Sequence, residues 1–209
     1  MKLRTLLTGL FAFAVFTHTW AGERDANTYE VLNPPQPTES GSKIEVVEVF
    51  WYGCPHCYSL EPYLEKWLET KPDDVEFRRI PGVLGKNWLP HARAYYTAEI
   101  LGILDKIHKS LFEAIHRDNK NVMDEKSLRD FFVQQGVKKD EFDKVYQSQE
   151  VTDKVKEAFI AGQGYNLTGV PTIIINGKYR TSAAMTGSNQ KLIETINQLL
   201  DRERNTVVK

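Results

Sequence analysis

Two cysteines, Cys54 and Cys57, are the only ones in a chain of 209 residues, and they lie three positions apart in the stretch FWYGCPHCYS. Three chemistries could use such a pair: a structural disulfide, half of a metal site, or a redox-active dithiol. A disulfide across four residues contributes only ~2 kcal/mol, because this kind of stabilisation grows with the length of the closed loop. A purely structural role is therefore the weakest interpretation.

A metal centre needs more ligands than the pair can supply. Structural zinc is held by about four side chains, and two sulfurs provide half of them. His56 lies within the same turn, but His91, His108 and His116 follow at no ligand-like spacing. Covalent haem attachment requires histidine directly after the second cysteine, and that residue is Tyr58. We therefore expect no metal and no bound cofactor other than the cysteine pair itself.

A redox role agrees with the residues around the pair. Cys54 stands where an apolar strand ends and a helix begins, so unpaired backbone N–H groups should stabilise its thiolate. Pro55 loses no hydrogen bond at the first position of a helix. His56 adds a nearby donor or positive charge, and Cys57 is placed to close the disulfide. A thiolate stabilised in this way makes the disulfide oxidising.

Glu48 is a carboxylate in the strand that leads to the pair, six residues before Cys54. Period-two alternation puts it on the same face as Val46 and Phe50. It could be an exposed side chain on an edge strand. It could instead be a buried acid with a raised pKa, exchanging a proton with Cys57. The pattern leaves both interpretations open.

The elements that position these residues begin as strand, helix, strand. KIEVVEVFWY (43–52) is typical of a buried strand, and DVEFRRI (74–80) of a second one. Between them, apolar residues recur with helical spacing, which predicts a helix after the pair. The predicted apolar face consists of Leu60, Tyr63, Leu64, Trp67 and Leu68. This order favours a right-handed parallel crossover.

Helical patterns then fill residues 87–165, after which strands return. Asp124 is a candidate N-cap with Gly136 as the stop of its helix, and a later helix shows one apolar face. That face consists of Val151, Val155, Ala158 and Phe159. Asn176-Gly177 between TIII and KYRTS predicts a hairpin, and Ser188 precedes a final amphipathic helix. We predict one α/β domain in two halves, 22–86 and 166–209, interrupted by a helical insertion at 87–165.

The N-terminal residues are typical of an export signal. Lys2 and Arg4 precede the apolar run TLLTGLFAFAVF, and small residues suit cleavage near Ala21, so residues 1–21 are predicted to be a signal peptide. The run is shorter than the ~20 residues that span a bilayer. Removing Lys2 and Arg4 leaves 25 basic and 28 acidic side chains, a net charge of −3. Such a balance argues against binding to nucleic acid or to an anionic membrane.

The stretches VVEVFWYGCPHCYSLEP and GVPTIIINGKY, the helical insertion between them and the signal resemble the DsbA family of bacterial periplasmic thiol:disulfide oxidoreductases. The resemblance covers essentially the whole predicted mature chain. It implies a thioredoxin-like fold, βαβ…ββα, with a helical domain inserted between the halves. Pro171 could be an ordinary trans proline at a strand start, but the resemblance implies a cis bond, a specified feature of a fold.

The resemblance also implies roles for individual residues. Cys54 would be the exposed nucleophile and Cys57 the buried resolving thiol, with His56 stabilising the Cys54 thiolate. Pro171 would face the disulfide, Val170 would offer backbone hydrogen bonds to an extended substrate, and Glu48 would be the family's buried acid.

The implied reaction is donation of the Cys54–Cys57 disulfide to newly exported, unfolded polypeptides in the periplasm. A DsbB-like, quinone-linked membrane protein would reoxidise the enzyme. Two alternatives stay open: a periplasmic isomerase or reductase, and a secreted binding protein on the same fold. Isomerases of the superfamily usually carry an N-terminal dimerisation domain, and only about twenty residues separate the predicted signal from the DsbA-like βαβ unit, so a monomer is expected.

Substrate recognition is expected to involve an apolar surface near the Cys54 sulfur. Trp51 and Trp88 could line it, although core packing is the commoner fate of aromatic side chains flanked by apolar residues. The stretch RRIPGVLGKNW carries a proline and a glycine where a regular strand end is expected. The shape of the groove near Pro81–Trp88 is therefore left open.

Overall fold

The computed structural model describes residues 28–207, and the predicted signal peptide with its cleavage point lies outside that range. The elements are β1 (Tyr29–Val31), β2 (Ile44–Phe50), α1 (Pro55–Leu68), β3 (Val75–Pro81), a 3₁₀ turn (Lys86–Trp88), α2 (Leu89–Ile100), α3 (Leu104–His116), α4 (Glu125–Gln134), α5 (Lys139–Tyr146), α6 (Gln149–Gly164), β4 (Thr172–Ile175), β5 (Tyr179–Thr181), α7 (Ala183–Thr186) and α8 (Asn189–Val207).

One five-stranded sheet, in the order β1-β5-β4-β2-β3, organises the molecule. The central strand β2 runs parallel to β3 and antiparallel to β4. The predicted order of strand, helix, strand, helical block, hairpin and helix is confirmed, and α2 to α6 form the insertion. β1, which pairs antiparallel with β5, was not predicted, because three residues are too few to show alternation.

Local signals set several boundaries as predicted. The Asp124 side chain accepts a hydrogen bond from the Ser127 N–H at 2.8 Å and so caps α4, while Gly136 takes a φ of 95° just after that helix. Asn176 and Gly177 both have positive φ in the β4–β5 turn, as a tight primed turn requires. The Ser188 hydroxyl accepts from the Lys191 N–H at the start of α8.

Two predicted apolar faces are rotated in the structure. Tyr63 on α1 is 41% exposed, and its predicted place toward the core is taken by Glu61, which is buried. Phe159 on α6 is 45% exposed, while Val155 and Ala158 pack inward. Tyr63 and Phe159 each lie at the edge of the apolar face of their helix. A small rotation of the helix about its axis decides whether a residue at that edge is buried.

Candidate active site

Cys54 occupies the N-cap position of α1, with Pro55 at the first helical position. The Cys54 pKa is lowered to about 6, first by a hydrogen bond from the Cys57 thiol. The backbone N–H groups of Cys57 and His56 and the charge of His56 lower it further, while burial opposes them. The start of the helix therefore favours a thiolate at Cys54.

Cys57 lies one turn into α1 and is fully buried. Burial raises the pKa of its thiol well above the usual range, and the hydrogen bond to Cys54 and the charges of Cys54 and Glu48 raise it further. The two sulfurs of one four-residue motif are thus held in opposite protonation states. Cys54 favours the thiolate and Cys57 favours the thiol.

The Cys54 sulfur faces the segment that leads into β4. Its thiol donates to the Val170 carbonyl at 3.4 Å, and the Val170–Pro171 peptide bond is cis. Cys54 is only 8% exposed, so the expectation of an exposed nucleophile is wrong for this structure, in which the Val170 carbonyl lies against the sulfur. A groove of about 560 Å³ opens beside His56, Val170 and Pro171, so the structure brings these predicted site residues together.

Glu48 is completely buried in the central strand, so an exposed position on an edge strand is wrong. It lies opposite Arg79 in the β2–β3 register, and the Arg79 Nε donates to Glu48 Oε2 at 2.8 Å. Burial raises the Glu48 pKa to about 8, and the charge of Arg79 opposes this only in part. Within residues 28–207, Glu48 Oε1 has no hydrogen-bond partner.

The comparison with known proteins assigns this arrangement to a family. The model of the DSBA-like thioredoxin domain matches residues 45–199. The chain belongs to the DsbA family. It is accordingly a thiol:disulfide oxidoreductase with the DsbA form of the thioredoxin fold, which confirms the predicted fold class and the prediction of an enzyme rather than a binding protein.

Individual members of the DsbA family match along most of their length. The thiol:disulfide interchange protein DsbA of Pseudomonas syringae pv. tomato is 41% identical over 176 residues, 84% of this chain and 82% of that protein. The Pseudomonas aeruginosa DsbA is 35% identical over 198 residues, 95% of this chain and 92% of its own. A crystal structure of P. aeruginosa DsbA superposes with a TM-score of 0.83 at 37% identity, covering 88% of this chain and 95% of that one.

Beneath the cysteines of this DsbA-family chain runs a buried polar network that sequence reasoning missed. Arg79 Nη2 donates to Glu61 Oε2 at 3.1 Å, and His108 Nε2 lies 3.4 Å from Glu61 Oε1. His108 Nδ1 is 3.1 Å from the Tyr52 hydroxyl. Burial lowers the pKa of His108, which favours a neutral ring that accepts from Tyr52 and points its other nitrogen at Glu61.

The network joins Glu48 to a cavity of about 520 Å³ between the sheet and the helical insertion, lined in part by Glu61, Arg79 and His108. One signal in the sequence could have revealed it: Glu61 stands at i+4 from Cys57 on the apolar face of α1. An acid in that register must find a partner. The partners themselves come from β3 and α3, which no local pattern connects.

Two further histidines of the described residues, His91 and His116, bond to backbone carbonyl groups. His91 Nε2 bonds the Val122 carbonyl at 2.7 Å, and burial lowers its pKa to about 4. His116 Nε2 bonds the Tyr52 carbonyl at 2.8 Å. Among residues 28–207 no three His, Cys, Asp or Glu side chains are grouped to hold a metal. In the same range no helix combines the length and apolar character needed to cross a bilayer.

Trp51 and Trp88 form a stacked pair beside the site, with ring centroids 4.6 Å apart and planes 8° from parallel. Both are half-buried, so Trp51 belongs neither to the core nor fully to the surface. The Trp51 ring folds over Gly53, where an added Cβ would lie 2.4 Å from it. Glycine at position 53 therefore leaves the space that the Trp51 indole occupies.

We therefore expect Gly53→Ala to push the Trp51 ring off Trp88 and to destabilise the fold by ~1–3 kcal/mol, as overpacking does. Near-UV circular dichroism would report the indole pair, and urea unfolding the stability. Gly169→Ala is the matched control, because an added Cβ there meets no atom within 4 Å. It should stay within ~0.5 kcal/mol of the wild type. Equal effects of the two substitutions would contradict the steric role of Gly53.

Proposed function

We propose that the protein is a periplasmic dithiol oxidase that donates the Cys54–Cys57 disulfide to unfolded, newly exported proteins. The observation that carries the proposal is the opposite shift of two neighbouring thiol pKa values, Cys54 down to about 6 and Cys57 far up. Stabilising the Cys54 thiolate stabilises the reduced form of the pair, which makes the disulfide a strong oxidant.

The reaction proceeds in two thiol–disulfide exchanges. A substrate thiolate attacks the Cys54 sulfur, the Cys54–Cys57 bond breaks, and a mixed disulfide forms while Cys57 leaves and takes up a proton. A second substrate thiolate then attacks the substrate's own sulfur, forms the substrate disulfide and releases Cys54 as a thiolate. Two electrons pass from the substrate to the protein, and the low pKa of Cys54 makes it a good leaving group in the second exchange.

Glu48 supplies the proton that the first exchange needs. Cys57 is a poor leaving group as a buried thiolate, and a nearby acid removes that cost by protonating it. A carboxyl group with a pKa of about 8 holds a proton at neutral pH. Its Oε1, unpaired among the described residues, is free to pass that proton. The Arg79 pair orients the carboxyl group from the other side.

Substrate binding uses the backbone beside Cys54. In this proposal the Val170 carbonyl, which accepts from the Cys54 thiol in the reduced protein, pairs with an extended substrate chain, and Pro171 prevents that segment from closing over the sulfur. Backbone pairing of this kind is tolerant of sequence, as unfolded substrates require. His56 lines the same groove and stabilises the Cys54 thiolate.

The cellular setting follows from the predicted signal peptide and the family. The protein acts as a monomer in the periplasm after cleavage near Ala21, and a DsbB-like, quinone-linked membrane oxidase recharges its disulfide. Residues 22–86 and 166–209 form the redox domain, and residues 87–165 form the helical insertion. The strand β3 ends at Pro81 and β4 begins at Thr172, which supports those boundaries.

The test is the equilibrium of the Cys54–Cys57 pair in glutathione redox buffers, followed by the fluorescence of the nearby Trp51. A potential near about −120 mV, the value known for DsbA, is expected for a disulfide donor. A potential near about −270 mV, as in thioredoxin, would overturn the proposal in favour of a reductase. Oxidation of a reduced, unfolded protein by stoichiometric disulfide-form enzyme measures the donation itself.

A further inference from the structure

A second groove lies outside the site described so far, between the segment that follows β3 and the helix α6. It has a volume of about 460 Å³. Leu84 and Leu89 line it from the segment after β3 and the start of α2, and Val155 and Phe159 line it from α6. Three of these large apolar side chains are exposed, Leu84 by 46%, Leu89 by 37% and Phe159 by 45%. Such a cluster on a soluble domain marks a binding surface.

The charges around this groove have one sign. Its charged lining residues are Lys86, Arg93 and Lys156, and no acidic side chain is among them. Lys86 and Lys156 are exposed, whereas Arg93 is fixed by hydrogen bonds to Thr152 and to the Tyr146 carbonyl. In a protein with slightly more acidic than basic residues, an apolar groove with a purely cationic rim selects a partner that is apolar and negatively charged.

The groove begins two residues along the chain from a contact of Val170, the residue beside the reactive cysteine. Val170, whose carbonyl contacts Cys54, packs against Gly82, where an added Cβ would lie 3.3 Å from the Val170 side chain and 3.2 Å from Trp88. The chain passes from Gly82 directly to Val83 and Leu84, which line the groove. A polypeptide bound beside Val170 therefore reaches Leu84 with its neighbouring residues.

We propose that this groove binds a segment of the substrate polypeptide itself, an apolar side chain next to one or more acidic residues, a few positions from the reacting cysteine. The inference rests on the proposed function, since it names the substrate feature that the same site prefers. Backbone pairing at Val170 does not depend on the substrate sequence, whereas contacts with Phe159, Leu84 and the two lysines do. The groove would therefore make the enzyme discriminate among unfolded chains.

The experiment uses synthetic peptides with two cysteines, oxidised by the full-length mature protein in its disulfide form. One series carries Leu-Asp-Glu at two to six positions from a cysteine, on either side of it. The others carry Leu-Lys-Lys or Ser-Asp-Glu at the same places. In this single-turnover reaction, we expect the Leu-Asp-Glu peptides at the best spacing to react with a second-order rate constant about tenfold larger, with the advantage shrinking at high salt.

Variants of the groove locate the effect. Phe159→Ser and Leu84→Ser should each abolish the preference, while Ile160→Ser should keep it. Ile160 is the matched control because it is the next residue of the same helix, is 53% exposed and does not line the groove. The oxidation rate of dithiothreitol, too small to reach the groove, normalises every variant for the state of the Cys54–Cys57 pair.

The outcomes separate the two proposals. A wild type that oxidises none of the peptides contradicts the proposed function. A wild type that oxidises all of them equally, or a preference that survives in Phe159→Ser and Leu84→Ser, overturns the groove while leaving the oxidase intact. A change in sedimentation of the wild type that both groove variants remove would overturn it as well, since a second copy of the chain would then occupy the groove.

Discussion

Iodoacetamide is expected to modify the reduced protein at Cys54 alone, along a titration curve with a midpoint near pH 6. The Cys54 pKa is lowered to about 6, so the reaction rate should level off above pH 7. An ordinary thiol with a pKa near ~8.5 would still be gaining reactivity there. At pH 5 the reaction should run roughly twenty times faster than for an ordinary cysteine, since a much larger thiolate fraction outweighs the lower nucleophilicity of a low-pKa thiolate. Cys57, buried and held as a thiol, should remain unmodified.

The measurement is the rate of alkylation from pH 4 to 9, with the modified residue identified by mass spectrometry. Cys57→Ala is the informative variant, because the hydrogen bond from Cys57 is the largest cause of the Cys54 shift. Its removal should move the midpoint upward toward that of an ordinary thiol. A wild-type midpoint near pH 9 would sink the oxidase proposal, because the reduced pair would then gain no stability from its thiolate.

The same shift makes the stability of the reduced protein depend on pH. A group whose folded pKa is depressed contributes stability above its unfolded pKa, and that contribution is lost as the pH falls through the folded value. For Cys54 the gain is complete above about pH 9 and vanishes below about pH 6, leaving ~1 kcal/mol at pH 7. Urea unfolding of both forms at pH 5 and pH 8 isolates this contribution, because the disulfide form shares the other titrating groups, Glu48 among them. The stability of the reduced form relative to the disulfide form should be lower at pH 5 than at pH 8.

Glu48→Gln is expected to stabilise the fold while slowing disulfide exchange. The Glu48 pKa is raised to about 8 by burial, so folding at neutral pH must either protonate the carboxyl group or bury its charge. This cost is absent below about pH 4.5 and complete above about pH 8, so the wild type loses stability across that window. Glutamine avoids it, and the gain at pH 7 should be on the order of 2 kcal/mol once the weakened Arg79 contact is subtracted.

Exchange should slow because glutamine cannot protonate the departing Cys57 sulfur. The rate of attack by a peptide thiolate should fall by about 10²-fold, the usual contribution of one general acid, and the part of the pH profile near pH 8 should disappear. Glu45→Gln is the matched control: Glu45 is also buried in β2 and paired with an arginine, Arg78 at 3.0 Å. Its period-two position faces the side of the sheet away from Glu48. A rate and pH profile unchanged in Glu48→Gln would remove Glu48 from the mechanism.

What could be predicted from the sequence was what a few neighbouring residues determine. The turn from β2 into α1, the N-cap position of Cys54 and the hairpin at Asn176-Gly177 each depend on fewer than ten residues, and all are found as expected. Whether Glu48 is buried or exposed depends instead on β4, which turns β2 into a central strand. Ile173 of β4 lies opposite Glu48 in the sheet. Period two alone left that open, because burial of a strand face is a property of its partners.

The polar network marks the other limit of prediction. Arg79, Glu61 and His108 come from a strand, a helix and the inserted block. Only tertiary packing brings Arg79 within 3.1 Å and His108 within 3.4 Å of Glu61. From the sequence, each of these side chains alone would be predicted to be a polar residue on the surface. The rotated faces of α1 and α6 have a related origin, since the angle at which a helix sits on its neighbours is settled by the whole interface.

The antiparallel strand β1 ties the two ends of the described chain together, and this fixes when the molecule can fold. The Thr181 hydroxyl donates to the Thr28 carbonyl, 153 positions earlier, at 2.6 Å, and the N–H groups of Leu32 and Gln36 donate to the carbonyls of Lys178 and Gly177. β2 likewise receives β4 as its second neighbour only from residues 172–175.

A polypeptide that emerges from its N-terminus must therefore hold its most apolar strand half-paired until nearly the whole chain has appeared. Pairings this distant in sequence close slowly, and during the wait the open edge of β2 can pair with other chains. A catalyst of disulfide formation with this topology therefore completes its own fold only after nearly all of its chain has been synthesised. Its folding depends on protection of the unpaired edge of β2 from other chains, and not on the formation of a disulfide.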